Sequence, residues 1–317
     1  IEAEIYAGGE AASGTDLHDS RAGEFSAAYL EHLREKIDGF SAAGKRVVLD
    51  CANGAASRLA PELFARIGAD VIAIHDQPDG RNINENCGSL HLEHLQAKVV
   101  EESADLGVAF DGDADRALFV DEIGEIVDGD ATLWIMADYL KSHGKLANST
   151  VVATVMSNIG LELALKSKDI SLLRANVGDK YVLEQLIETN SEIGGEQSGH
   201  IIFPEISLVG DGMMTALLVL RAISEKGVTL SKAIEGFARF PQVLVNVRVG
   251  EKRPFESVPE IVAASAEIEK ELHGEGRLLL RYSGTENLAR VMIEGKDQAE
   301  IEGQANRLAA VIGSALS

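Results

Sequence analysis

The feature that most constrains the fold is a repeated switch between short strand-like apolar runs and apolar residues at helical spacing. Residues 47–49, 71–74 and 106–110 are predicted strands, and segments of helical period lie between them. Parallel strands need a long crossover, which is usually a helix, so this alternation favours βαβ units. A second cycle of the same kind extends from a predicted helix at 132–140 to an apolar helix at 213–223.

The order of elements changes after Pro241. A predicted strand at 243–249 is followed by a helix at 258–272 and then by further strands and a helix, which is a βαββα pattern. We therefore predict an α/β protein with two consecutive α/β domains of the βαβ type, each with a mixed sheet, and a small α+β C-terminal domain. The predicted domain limits are residues 16–124, 125–240 and 241–317.

The charge balance excludes several kinds of partner. The 317 residues include 29 Lys and Arg against 51 Asp and Glu, which gives a formal net charge of −22. Nucleic-acid binding depends on basic patches, and an acidic surface repels anionic lipid, so we expect neither partner. No apolar run approaches the roughly 20 residues that span a bilayer. The only cysteines, Cys51 and Cys87, form no disulfide framework, so we expect a reducing, cytoplasmic location.

The first of three chemically informative loops, residues 111–116, directly follows a predicted strand. Its carboxylates, Asp111, Asp113 and Asp115, alternate with small residues that let the backbone curl around a cation. Several carboxylate oxygens suit Mg²⁺ or Ca²⁺ better than zinc. An EF-hand is excluded because Arg116 stands at the position that requires glycine. A solvated acidic turn is the simpler alternative, but this pattern at a strand end favours the metal site.

The second loop, residues 194–200, is rich in glycine and lies before an apolar segment. Glu196, Ser198 and His200 alternate, so in an extended loop they would share one side. An anionic acceptor, a hydroxyl and an imidazole suit sugar hydroxyls and proton transfer near neutral pH. A polar hairpin loop with a packed histidine explains the same residues equally well.

The third loop, residues 281–286, combines hydroxyls, a glycine turn and arginines. Such a set forms a cradle for a phosphate dianion. The alternative is a serine–glycine turn whose arginines pair with surface acids such as Glu294. The candidate phosphate ligands are Arg281, Ser283, Gly284, Thr285 and Arg290.

Taken together, the three loops resemble a known family. The segments DGDADR, GGEQSGH and RYSGTEN, in that order, are similar to the metal-, sugar- and phosphate-binding loops of the α-D-phosphohexomutases. The stretches VVLDCANGAAS and VGDKYVLE resemble the phosphoglucosamine mutase branch in particular. The resemblance covers essentially the whole chain.

The resemblance implies a role for each loop. The carboxylates of the first loop would hold Mg²⁺, and Arg116 would position the transferring phosphoryl group or the serine that carries it. Glu196, Ser198 and His200 would recognise the sugar, and His200 is also a catalytic candidate on chemical grounds. The third loop and Arg290 would grip the phosphate that is not transferred.

The implied reaction converts glucosamine 6-phosphate to glucosamine 1-phosphate through a hexosamine 1,6-bisphosphate. A hexose 1,6-bisphosphate is also expected as activator. The product would enter the synthesis of amino-sugar nucleotides and cell-wall precursors. The expected partner is a phosphorylated sugar, and a homodimer is the assembly considered.

Two departures from the family accompany the resemblance. No TASHN-like phosphoserine motif occurs in the 317 residues, and residues 1–15 look like the tail of the domain that carries it. We therefore expect a fragment without the phosphoserine, which is inactive by itself. Asn287 stands where the family usually has proline after the SGTE motif.

The same residues are compatible with other functions. A phosphomannomutase or phosphoglucomutase differs only in the substituents of the hexose. A non-catalytic sugar-phosphate binding module predicts that the full-length protein also lacks the serine loop. A Mg²⁺-dependent phosphatase is disfavoured, because Asp115 stands where that group has Thr or Val.

Overall fold

The structure, a computed structural model, describes residues 21–284 and 286–317. The chain divides into two compact units, residues 1–39 and 40–317. The described part of the first unit contains helix α1, Ala22–Lys36, where the apolar spacing predicts a helix. An acidic residue in its first turn and basic residues in its last turn complement the helix dipole. The predicted remnant of an N-terminal domain, residues 1–15, lies outside the described residues.

The second unit begins with a mixed sheet in the order β2-β1-β3-β4-β5. Strands β1 to β3 are parallel, as the alternating pattern predicts, whereas β4 and β5 add to the sheet by antiparallel pairing. Two helices cross between the parallel strands. The elements are β1 Arg46–Asp50, α2 Ala56–Arg66, β2 Asp70–Ile74, α3 Glu93–Glu101, β3 Leu106–Phe110, β4 Ala117–Asp121 and β5 Ile126–Val127.

A second mixed sheet has the order β7-β6-β8-β9, with three parallel strands and a final antiparallel one. Its four strands therefore repeat the connectivity of the first four positions, β2-β1-β3-β4, of the first sheet. Helix α7 is buried along most of its length, as its continuous apolar sequence predicts. The elements are α4 Gly129–Ser142, β6 Thr150–Thr154, α5 Ile159–Ser167, β7 Ser171–Ala175, α6 Asp179–Thr189, β8 Gly194–Gly195, β9 Ile201–Ile202, α7 Gly212–Lys226 and the short α8 Leu230–Ala233.

The last part of the chain forms an antiparallel sheet in the order β10-β12-β11, covered by two helices. Apolar residues of the sheet and of both helices form its core. The elements are β10 Gln242–Arg248, α9 Pro259–Glu271, β11 Arg277–Tyr282, β12 Leu288–Glu294 and α10 Gln298–Ala315. The predicted fold class, two mixed α/β regions followed by a small α+β region, is confirmed. The exact domain limits stay a prediction.

Along the described residues, no helix combines the length and the apolar character needed to cross a bilayer.

Candidate functional site

The first loop connects β3 to the antiparallel strand β4 and is held at its base by close backbone packing. The N–H of Ala55 donates to the carbonyl oxygen of Gly112 at 2.9 Å. A Cβ atom at Gly54 would overlap that same oxygen, so glycine is required there. Within the loop, the N–H of Arg116 donates to Asp111 Oδ1 at 3.1 Å. The carboxylates therefore stand on a rigid turn.

The geometry of the three carboxylates fits a hard cation. One oxygen from each of Asp111, Asp113 and Asp115 lies within 4.8 Å of the others. Asp115 Oδ1 is buried and accepts no hydrogen bond from any described residue. Burial, followed by the neighbouring carboxylates, raises the pKa of Asp111 to about 6, although the hydrogen bond from Arg116 opposes this. Clustered oxygens with unmet demand for positive charge are the donor set that Mg²⁺ prefers.

The side chain of Arg116 lies beside these carboxylates. Its Nε atom is 3.7 Å from Asp111 Oδ2 and 3.6 Å from Asp115 Oδ1. That Nε donates no hydrogen bond to any residue that the structure describes. The half-exposed guanidinium is therefore placed to bind an anion next to the carboxylates.

The second loop is the turn between β8 and β9, and it brings two of its predicted residues together. Ser198 Oγ lies 3.3 Å from Glu196 Oε2. The other carboxylate oxygen of Glu196 accepts from the N–H of Gly178 at 3.1 Å. Gly178 immediately precedes helix α6, so Glu196 ties the second loop to the start of that helix. Glu196 and Ser198 thus form one polar surface.

His200 is buried and faces the first loop instead of that surface. Its Nε2 atom accepts from the N–H of Gly210 at 3.2 Å. Nδ1 therefore carries the proton and donates to Asp115 Oδ2 at 3.1 Å. Since both ring nitrogens are bonded, the structure places His200 as a support for Asp115. Its role in proton transfer or sugar recognition stays a prediction.

Backbone hydrogen bonds also fix the second loop against neighbouring segments. The N–H of Ala117, directly after the first loop, donates to the carbonyl oxygen of Gly199 at 3.2 Å, and the N–H of Gly129, the first residue of α4, donates to the carbonyl oxygen of Gln197 at 2.9 Å. The N–H of Gly212, the first residue of α7, donates to the carbonyl oxygen of Ala114 at 3.0 Å. The two loops and the start of α7 therefore form one continuous wall.

The third loop lies between β11 and β12 and concentrates positive charge. Arg281 and Arg290 are directly paired in the antiparallel register, so their side chains leave the same face of the sheet. Arg290 Nε is buried and has no hydrogen-bond partner among the described residues. Adjacent like charges repel unless an anion lies between them. This arrangement fits a phosphate.

The remaining predicted residues of the third loop form its turn. Ser283 is buried, and its Oγ accepts from the N–H of Glu286 at 3.3 Å. Gly284 is exposed, and Thr285 lies outside the described residues. Lys252, which sequence reasoning missed, donates from Nζ to the carbonyl oxygen of Ser283 at 2.7 Å. It adds a third cation to this region.

Glu294, considered above as a surface partner for these arginines, has a different position. It is fully buried and binds Arg277 Nε at 2.9 Å. It also accepts from the N–H of Ile159 at 3.1 Å and from Asn158 Nδ2 at 3.3 Å, at the start of α5. Arg281 and Arg290 are therefore not neutralised by Glu294, and that carboxylate instead links the third sheet to the second.

Comparison with known proteins agrees with this architecture. Models of phosphoglucomutase/phosphomannomutase domains match in succession: alpha/beta/alpha domain II over residues 27–124, alpha/beta/alpha domain III over 128–240 and the C-terminal domain over 244–311. The chain belongs to the phosphoglucomutase/phosphomannomutase family. The resemblance to α-D-phosphohexomutases is thereby confirmed.

Within the family, the chain is similar to curated phosphoglucosamine mutases. It is 50% identical over 296 residues to the phosphoglucosamine mutase of Caldicellulosiruptor saccharolyticus, a match that covers 93% of this chain and 66% of that protein. It is 48% identical over 297 residues to the phosphoglucosamine mutase of Pseudomonas putida KT2440, with the same coverage of 93% and 66%. The chain thus spans slightly under two thirds of the length of these relatives.

Solved structures share the fold. A phosphoglucomutase/phosphomannomutase family protein from Burkholderia thailandensis superposes with a TM-score of 0.74 at 22% identity, over 92% of this chain and 65% of that one. The N-acetylphosphoglucosamine mutase of Aspergillus fumigatus, solved with GlcNAc-6P and magnesium, has a TM-score of 0.71 at 22% identity, over 91% and 69%.

Proposed function

We propose that these residues form the metal-, sugar- and phosphate-binding part of a phosphoglucosamine mutase, which converts glucosamine 6-phosphate to glucosamine 1-phosphate through a 1,6-bisphosphate. The observation that carries the proposal is the bond between His200 and Asp115, which joins the predicted metal loop to the predicted sugar loop. The curated relatives at about 50% identity support the choice of hexosamine.

In this proposal, the first loop handles the phosphoryl group that moves. Asp111, Asp113 and Asp115 hold Mg²⁺, which when bound neutralises charge that develops on the transferring group. Arg116 binds an oxygen of that group, because its Nε is close to the carboxylates yet not committed to them. His200 holds the Asp115 carboxylate in one orientation and adds no net charge.

The other two loops hold the parts of the substrate that do not react. Glu196 accepts from sugar hydroxyls, and Ser198 donates to or accepts from them. The paired arginines of the third loop, with Lys252 behind its turn, bind the second phosphate. A grip on that phosphate contributes positioning, which is the main requirement of phosphoryl transfer.

The proposal assigns the phosphoryl carrier to none of these 317 residues. We therefore predict binding without turnover for this chain alone. We further propose a cytoplasmic protein whose product enters amino-sugar nucleotide and cell-wall precursor synthesis. Domain limits near residues 124 and 240 and a homodimeric assembly belong to the same set of proposals.

The test is calorimetric titration of this chain with glucosamine 6-phosphate in the presence of Mg²⁺, with glucose and mannose 6-phosphates in parallel. We expect glucosamine 6-phosphate to bind most tightly. The Arg290→Met variant should bind all three sugar phosphates more weakly. Exchange of an exposed arginine outside the site, Arg58→Met, is the matched control. Preference for mannose or glucose phosphate would refute the hexosamine assignment. Turnover on addition of glucose 1,6-bisphosphate would show that a residue of this chain accepts the phosphoryl group.

A further inference from the structure

A second group of possible metal ligands lies outside the loops described above. Asp50 is the last residue of β1, and His75 directly follows β2, the parallel neighbour of β1. Cys87 directly precedes a short 3-10 turn at Gly88–Leu90. We propose that Asp50, His75 and Cys87 bind a divalent ion of the zinc class at this edge of the sheet, independently of the proposed function.

The positions of the donor atoms are compatible with one shared ion. One donor atom from each residue lies within 4.8 Å of the others. His75 Nδ1 is 2.9 Å from Asp50 Oδ2, yet it is buried and makes no aligned hydrogen bond within the described chain. Ligand atoms bound at about 2.0–2.3 Å to a tetrahedral ion lie about 3.3–3.8 Å apart, so this pair would open by about 0.4 Å to hold the ion.

The charge and the burial of these ligands also favour a bound cation. Asp50 and Cys87 are fully buried, and Asp50 accepts from the N–H groups of Ala52 at 3.0 Å and Gly88 at 3.1 Å. One carboxylate plus one thiolate would neutralise a bound divalent cation.

The surroundings of the ligands are those of a metal site. The second ring nitrogen of His75, Nε2, lies 3.4 Å from His94 Nδ1, and the two rings stack with centroids 5.4 Å apart. A metal-bound histidine usually donates a hydrogen bond from its other ring nitrogen, and His94 Nδ1 offers an acceptor there. Asn53 Nδ2 donates to Cys87 Sγ at 3.8 Å, which suits a sulfur with anionic character.

The ligand types select the ion. Thiolate and imidazole favour Zn²⁺ and Co²⁺, whereas Mg²⁺ requires oxygen ligands. This ion would tie the ends of two strands to the segment before Gly88. A Cβ atom at Gly88 would lie 2.5 Å from the carbonyl oxygen of Phe110, so this segment packs directly below the start of the first loop.

The test is a Co²⁺ titration of the intact chain in excess Mg²⁺, followed by absorption spectroscopy. We expect one equivalent to bind with a thiolate-to-cobalt charge-transfer band, which Zn²⁺ then removes. Cys87→Ser should lose the band, whereas Cys51→Ser, which changes the neighbouring buried cysteine, should keep it. His75→Gln should weaken Co²⁺ binding at least tenfold.

Circular dichroism accompanies each titration so that loss of the band is scored in folded protein, and His75→Gln serves as the second variant. An Asp113→Asn variant separates this site from the first loop, and the charge-transfer band should survive in it. Absence of the band in the folded parent chain, or cobalt binding abolished by Asp113→Asn alone, would overturn the proposal.

Discussion

Replacement of Asp130 by asparagine should stabilise the protein in a pH-dependent way. Asp130 is fully buried in the first turn of α4. Its Oδ2 accepts from the N–H of Asn158 at 2.8 Å and from Gln197 Nε2 at 3.3 Å, while Oδ1 has no partner in the described residues. Burial, followed by the charge of Asp128, raises the pKa of Asp130 from 3.8 to about 7.

The sign of the effect follows from this raised pKa. Between about pH 4 and pH 7, the folded protein keeps a proton that the unfolded chain releases. Stability from this carboxyl is therefore greatest below pH 4, falls as the pH rises, and reaches its lowest level above about pH 7. A shift of about three pKa units corresponds to about 4 kcal/mol.

Asparagine keeps an oxygen for the Asn158 N–H and carries no charge. We expect Asp130→Asn to raise the free energy of unfolding at pH 8.5 by up to about 4 kcal/mol, and to change it little at pH 4. Trp134, the single tryptophan, lies buried in the same helix. Its fluorescence during urea unfolding reports directly on this region.

The matched control is Glu188→Gln, an acid-to-amide exchange at an exposed position of α6. It should leave the urea midpoint unchanged at both pH values. Equal stabilisation by Asp130→Asn at pH 4 and pH 8.5, or destabilisation at pH 8.5 alone, would refute the reasoning.

Three further predictions concern the loops. Because the pKa of Asp111 is about 6, protons should compete with Mg²⁺ below that pH. In calorimetric titrations, the apparent Kd for Mg²⁺ should rise about tenfold for each pH unit below 6. A Kd that does not depend on pH would contradict this. Gly54→Ala should lower stability by about 1–3 kcal/mol in thermal unfolding and weaken Mg²⁺ binding, since the added methyl overlaps Gly112. Lys252→Met should weaken glucosamine 6-phosphate binding about tenfold, which is the effect of one lost charge-assisted bond, whereas the exposed Lys296→Met should not.

The local pattern of the sequence was sufficient for most of the fold. Apolar alternation predicts the three parallel strands of the first sheet, and the apolar run before Lys226 predicts a buried helix. Strands β5, β8 and β9 were not predicted, because each contains two residues and so has no measurable period.

The site was less accessible to sequence reasoning wherever it depends on contacts between distant residues. His200 and Asp115 are 85 positions apart, so no local pattern in the second loop predicts their contact. Lys252 reaches Ser283 across 31 positions only because β10 pairs with β12. Glu294 resembles a surface acid in the sequence, yet the end of β12 places it against the start of α5.

The first two sheets use the same connectivity, and this places their candidate loops at equivalent positions. In each sheet, the candidate loop is the hairpin between the third strand along the chain and its antiparallel neighbour, β3 to β4 and β8 to β9. One hairpin carries carboxylates that suit a cation, and the other carries glycines and a hydroxyl. The same scaffold therefore offers two different kinds of ligand contact through the residues of a single turn, while the strands on either side keep their pairing.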